Sequence, residues 1–453
     1  MGFSKDFVWG AATAAYQIEG AANEDGRGLS VWDICCMKDG FVKDGDTGNV
    51  ACDHYHRMKS DVALMKELGL KAYRFSISWS RVIPNGFGEV NEKGLDFYSA
   101  LVDELLENGI EPYVTLFHWD YPVELFKMGG WLNPASSDWF AMYAKVVVDK
   151  LSDRVKHWMT LNEPQCFIGL GHETGIHAPG LKLQPYYYLQ AAHNTLLAHG
   201  KAVQVIRQYS KQPCEVGYAP IGDTRIPISA SERDIEAARK ATFACNPDGP
   251  IWAPTWWIDT AIFGKYPKEA FEGKLGQNMP KIGQDDMKTI CQPLDFLGLN
   301  MYQGGYVRAA ENADGYEFVK KPVGYDQTAI KWPVTPEMLY YGPKFYYERY
   351  KLPILITENG LSSMDWVSMD GKVHDPNRID FLNRYLLQYR RAADDGVALK
   401  GYMQWSLMDN FEWGEGYNER FGLIYVDYPT QKRIIKDSGY WYRSVIESNG
   451  ENL

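Results

Sequence analysis

A helix-periodic stretch followed by a short β-type run recurs along the chain, and this repeat limits the possible folds more than any other feature. Val62, Leu64, Met65 and Leu68 keep helical spacing up to Gly69, Ser60 and Asp61 are placed to cap the start, and the run 72–79 (AYRFSISW) follows. The unit returns with different residues: 95–106 stops at Gly109 before 112–119 (PYVTLFHW), 138–151 leads to 156–162, and 378–393 stops before Gly396 and 400–407 (KGYMQWSL). With 7–15, 215–219, 295–302 and 353–358 there are eight strand-like runs, separated mostly by helix-length stretches. This predicts a single (β/α)₈ barrel spanning 1–453. A doubly wound open sheet is the alternative, but neither G-x-G-x-x-G nor G-x-x-x-x-G-K-[ST] follows a strand run, so no motif supports nucleotide binding. Two stretches, 16–59 and 219–294, exceed one crossover each and are expected to form elaborated loops walling a cleft.

The strand runs are apolar inside and finish in polar or aromatic residues: Gln17, Trp79, His118 and Trp119, Asn162 and Glu163, Asn300 and Tyr302, Glu358 and Asn359, and Trp405. In a barrel these are C-terminal strand ends, where active sites form. Glu163 (in MTLNEP) and Glu358 (in ILITENG) each follow apolar β-type residues directly. A lone Glu there would serve equally as a helix cap or ion-pair partner. Two of them, each beside an Asn, match the needs of glycosidic bond cleavage, in which one carboxyl protonates the leaving oxygen and the other attacks carbon or activates water.

Five segments in order carry a more specific signal: FVWGAATAAYQIEG at 7–20, His118-Trp119-Asp120, 160–164 (TLNEP), 356–360 (ITENG) and 405–413 (WSLMDNFEW). Over nearly its whole length the chain resembles glycoside hydrolase family 1, the β-glucosidase family. The resemblance implies a retaining, cofactor-free and metal-independent exo-β-glycosidase, in which Glu358 is the nucleophile and Glu163 the acid/base. It also implies that Arg74 and Tyr302 hold Glu358 ionised, that Gln17, His118, Trp119, Asn162, Asn300, Glu412 and Trp413 surround the sugar, and that Trp405 stacks on it. Phe421 is implied among the substrate-binding residues and Trp332 at the aglycone side, where Gln165, Cys166 and Tyr121 depart from the commoner family residues. The implied partners are small β-glucosides or cello-oligosaccharides, with tolerance for β-galactose or β-fucose. A 6-phospho-β-glucosidase of the same family is the nearest alternative, and the acidic Glu412 and Glu415 are expected to repel its phosphate. A non-catalytic sugar-binding barrel would have lost one of the two carboxylates, and a metal-dependent sugar isomerase would need a ligand cluster.

The remaining features narrow the partners. A formal charge of −11 disfavours nucleic acid and anionic membranes, and no run of about 18 apolar residues is present to span a bilayer. The start, MGFSKDF, lacks the apolar core of an export signal, and seven scattered cysteines show no C-x-x-C spacing, so the expected location is cytoplasmic. The segment 44–49 (DGDTGN) begins like a calcium loop, but Tyr55 stands at its twelfth position, and His54 and His56 lack a third ligand at suitable spacing. Both are read as hydrogen-bonded surface features. Oligomeric state, monomer or homo-oligomer, is left open by the sequence.

Overall fold

The computed structural model describes residues 2–273 and 275–453. Eight parallel strands close a barrel: β1 (Val8–Ala12), β2 (Ala72–Ser76), β3 (Glu111–Phe117), β4 (His157–Asn162), β5 (Glu215–Ala219), β6 (Phe296–Asn300), β7 (Ile354–Asn359) and β8 (Leu399–Trp405). They pair in chain order, and closure comes from β1 lying beside β8, with Val8 opposite Gly401 and Ala12 opposite Trp405. Strands of such a barrel are covered on both faces, which is why they read as near-continuous apolar runs; β2 and β7 are buried at every position. All eight strand expectations hold. Several runs overshoot the ladder by two or three residues, and among the overshooting residues His118, Trp119, Met301 and Tyr302 line the cleft.

The outer helices form where the periodicity placed them, over Glu92–Glu107, Ser136–Leu151 and Pro376–Asp394. Leu95, Tyr98, Leu101, Val102 and Leu105 form the buried stripe of the first, and Gly109 follows it at φ +73°, a left-handed conformation that favours glycine. One start differs from expectation. The helix before β2 runs His54–Glu67, so Ser60 and Asp61 lie inside it rather than at its cap. Their side chains have other tasks: Ser60 Oγ donates back to the Arg57 carbonyl, and the buried Asp61 carboxylate meets His54 Nδ1 at 2.8 Å and Arg433 Nε at 2.9 Å.

Both long stretches are elaborated loops, as expected. That at 16–59 carries the helix Val31–Cys36, started by a reciprocal Ser30–Asp33 capping box, and that at 219–294 carries Glu232–Thr242 and Pro254–Phe263. The DGDTGN segment is a docking loop: Asn418 Nδ2 donates to Asp44 Oδ2 at 2.9 Å, and the Tyr417 N–H donates to Asp46 Oδ2 at 2.9 Å. It thereby braces the turn that carries Glu412 and Trp413. All seven cysteines are free thiols, and no helix among the described residues is long and apolar enough to cross a membrane.

Candidate active site

At the C-terminal mouth of the barrel lies a cavity of about 490 Å³, and Glu163 and Glu358 are both in its wall, only 8% and 4% exposed. Their strands deliver them differently. Glu358 lies within β7 beside Asn300 of β6, just past a register shift that follows Ile356. Gly360 then lets the chain pass the Trp405 carbonyl, since a Cβ there would sit 1.7 Å from that oxygen. Glu163 is the first residue beyond β4 and takes φ +40°, a strained left-handed bend for a side chain of this size, pinned by its N–H donating to the Ala219 carbonyl at 2.8 Å. Trp119 (φ +79°) and Trp413 (φ +48°), also in the wall, share that strain.

The hydrogen bonds run in one direction from Arg74. A guanidinium only donates, so Arg74 Nη1 gives a hydrogen to Glu358 Oε1 at 2.7 Å and Nη2 gives one to Asn162 Oδ1 at 2.5 Å. With Asn162 Oδ1 fixed as acceptor, its Nδ2 must donate to His118 Nε2 at 3.0 Å. His118 therefore carries its proton on Nδ1, which is buried without a partner among the described residues. Burial and the nearby Arg74 charge hold the ring pKa well below the usual histidine range, so it is neutral. Asn300 is oriented in the same way: Thr357 Oγ1 donates to its Oδ1 at 2.7 Å, and its Nδ2 donates to Asn162 Oδ1 at 3.0 Å and Glu163 Oε1 at 2.9 Å.

Two carboxyl groups in one cavity thus have different surroundings. Glu358 accepts from Arg74 at Oε1 and from the Tyr302 hydroxyl at Oε2, 2.7 Å away. Burial raises its pKa and both donors oppose that rise. Glu163 has a neutral amide on Oε1 and no cation bonded to it, and burial followed by repulsion from Glu358 pushes it up to about 7. Arg74 and Tyr302 favour the ionised form of Glu358, whereas Glu163 keeps its proton below about pH 7, on Oε2 because Oε1 accepts from Asn300. An ionised nucleophile opposite a protonated acid is the charge state that displacement at an acetal carbon requires.

The sequence profile of glycosyl hydrolase family 1 matches residues 1–451. The chain belongs to glycosyl hydrolase family 1. It is 47% identical over 450 residues, 99% of each chain, to the 1,4-β-D-glucan glucohydrolase of Thermotoga neapolitana. It is 46% identical to β-glucosidase A of Thermotoga maritima, with 99% of this chain and 98% of that one aligned. The Thermotoga maritima β-glucosidase solved in complex with glucoimidazole superposes with a TM-score of 0.90 over 99% of both chains, at 46% identity.

Of the residues expected from sequence in this family 1 site, His118, Trp119, Asn300, Tyr302, Trp332, Trp405, Glu412, Trp413 and Phe421 line the same cavity as the two glutamates. His118 stacks between Trp405 (5.8 Å, 22°) and Trp413 (5.9 Å, 19°), which fixes one wall. Tyr302, Trp332 and Phe421 form a second aromatic group, with Tyr302 and Trp332 centroids 5.1 Å apart. Arg74 and Asn162 sit behind the wall and act through the bonds described. Gln17 is fully buried, its Nε2 donating to Asn410 Oδ1 (3.0 Å), the Phe411 carbonyl (2.7 Å) and Glu412 Oε2 (3.3 Å), while its Oε1 has no partner among the described residues.

One expectation changes. Glu412 is raised to about 8, first by burial and then by repulsion from Glu358, so at neutral pH its carboxyl favours the protonated acid over a fixed anion. Sequence reasoning also passed over Thr115 and Thr357. Thr115 Oγ1 accepts from Arg74 Nε at 3.1 Å, and Thr357 orients Asn300. Thr115 sits inside the apolar run of β3 and Thr357 inside the 356–360 segment, where the neighbouring Glu358 carries the signal, so neither Thr stands out by itself.

Proposed function

We propose that this family 1 enzyme is a retaining exo-β-glucosidase acting on neutral β-glucosides and short cello-oligosaccharides, and that tolerance extends to β-galactosides and β-fucosides. The observation that carries this reading is the asymmetric pair: Glu358 with Arg74 and Tyr302 on its two oxygens, and Glu163 with a neutral amide and a pKa of about 7. In the proposed cycle Glu358 attacks the anomeric carbon while the Glu163 Oε2 proton passes to the departing aglycone oxygen. Esterification then removes the Glu358 charge, the largest nearby repulsion on Glu163, and the Glu163 pKa falls so that it can take a proton from water. His118 Nδ1–H would donate to, and Gln17 Oε1 accept from, hydroxyls of the bound sugar, with Trp405 beneath its C–H face. The names of the relatives, glucan glucohydrolase and β-glucosidase, support the same substrate class.

Two measurements test this. Hydrolysis of p-nitrophenyl β-D-glucoside, β-D-galactoside and β-D-glucoside 6-phosphate, each with EDTA, should show the neutral glucoside as the best substrate with EDTA making no difference. Turnover of the phosphorylated sugar alone would replace this reading by the 6-phosphoglucosidase one, which the protonated state of Glu412 leaves to experiment. The pH profile is the second. Since kcat/KM follows the free enzyme, and that enzyme needs Glu163 protonated, kcat/KM should fall tenfold per pH unit above about pH 7. A plateau running to pH 9 would contradict the acid role of Glu163.

We also read the site of action as cytoplasmic, a reading that the seven free thiols support because such thiols persist in reducing compartments. Recovery of the activity from a periplasmic or culture fraction of the native cells would overturn it.

A further inference from the structure

The loop 361–375, between β7 and the helix Pro376–Asp394, is fixed from within and apolar without. Its Asp365 side chain, 2% exposed, accepts from Arg378 Nη2 at 2.8 Å and Lys436 Nζ at 2.6 Å, and both cations are themselves buried. The Ser363 N–H donates to the Arg420 carbonyl at 3.0 Å, and the Gly371 N–H closes a turn onto the Ser368 carbonyl at 2.9 Å. With Asp365 held inward, its neighbours are presented outward: Met364 is 75% exposed, Trp366 70% and Val367 40%, and Met369 is fully exposed. Together they expose on the order of 500 Å² of mainly apolar surface, close to the largest patch that a single soluble chain commonly leaves bare. Because buried bonds already order the loop, covering this surface costs little conformational freedom.

A pocket of about 700 Å³ adjoins the ridge, with Trp366 and Met364 in its wall beside Val334, Leu361 and Phe381. Among the described residues none lines both this pocket and the catalytic cavity. A ridge and a pocket side by side make a self-complementary face, since turning a second copy through 180° lays each ridge over the other's pocket. Charge favours the same occupant. The chain carries −11, so two copies repel over most of their surfaces. The charged residues lining this pocket cancel instead: Asp326 and Asp380 face Lys331 and Arg384, with Arg384 Nε 2.9 Å from Asp380 Oδ2. A stable interface buries about 800 Å² per partner, of which the exposed ridge supplies more than half and the pocket wall and its rim the rest.

We propose that this face joins two copies of the chain in solution about a twofold axis, with Trp366 of each copy seated in the pocket of the other. Sedimentation velocity from 1 to 100 µM tests it on the wild type, Trp366→Glu, Trp366→Ala and Met142→Glu, with circular dichroism to check that each is folded. Met142→Glu is the control, because it adds the same charge at another exposed apolar residue, on the helix Ser136–Leu151. The wild type and Met142→Glu should sediment at twice 51.6 kDa. Trp366→Glu should raise the dissociation constant roughly a hundredfold or more, since Trp is a typical interface anchor and a twofold interface contains the change twice. Trp366→Ala should move it the same way by less, and decides the matter if Trp366→Glu does not fold. A wild type that is monomeric at 100 µM overturns the proposal and leaves the face to a different protein. An assembly that the folded Trp366 variants leave intact, or that Met142→Glu disrupts equally, also overturns it.

Discussion

Glu358→Ala is expected to lose about 10⁴-fold or more in kcat on every glucoside, whatever its leaving group, as enzymes do on losing a nucleophile. The geometry gives the reason. Arg74 and Tyr302 both spend a hydrogen bond on this carboxylate, so its removal also leaves a buried guanidinium without its ion-pair partner. The vacated volume should admit a small anion, and azide should restore turnover by attacking the same face of the anomeric carbon, giving the α-glucosyl azide. Recovery of β-azide from this variant would mean that the attacking group had been misassigned. Retained activity on any glucoside would contradict the double-displacement mechanism altogether.

Glu163→Ala should behave differently, and the difference is the informative result. Loss of a general acid costs roughly 10²- to 10⁴-fold where the leaving oxygen needs a proton and little where it does not. Because kcat/KM reports the first covalent step, it should stay near the wild-type value for 2,4-dinitrophenyl β-glucoside and collapse for cellobiose. The second step still lacks its base, so kcat on the dinitrophenyl substrate should fall and a glucosyl-enzyme should accumulate as a burst. Equal losses in kcat/KM across good and poor leaving groups would remove Glu163 from the acid role and point to a structural one at its strained turn.

How far the sequence reached is clearest at Arg74, Asn162 and Asn300. Asn162 and Asn300 were legible as polar residues closing apolar runs, whereas Arg74 lies in the middle of the fully buried β2 and was marked only by the family resemblance. Their connection was not legible. They come from β2, β4 and β6, and alternate strands of a barrel send side chains into one common layer, so residues separated by 88 and 138 positions become hydrogen-bonded neighbours. The direction of those bonds, and with it the His118 tautomer and the position of the Glu163 proton, follows from that layer and from no local pattern. The helix at His54–Glu67 was misread at its start for a related reason: Asp61 is polar and buried because of Arg433, which is 372 residues distant in the chain. Glu412 shows the limit in energetic form, since the sequence supplies its acidity and only burial decides its charge.

The closure of the barrel has a temporal consequence. Gln17 follows β1 and its hydrogen-bond partners Asn410, Phe411 and Glu412 follow β8, so the sugar-facing wall is made from opposite ends of the chain, 393 to 395 residues apart. Glu163 and Glu358 are both synthesised before that wall can exist. A chain emerging from the ribosome therefore carries its reactive pair for some time without the surface that would hold a sugar against it, and contacts of such high sequence separation are the slowest to form. The enzyme remains silent until its last strand has joined its first.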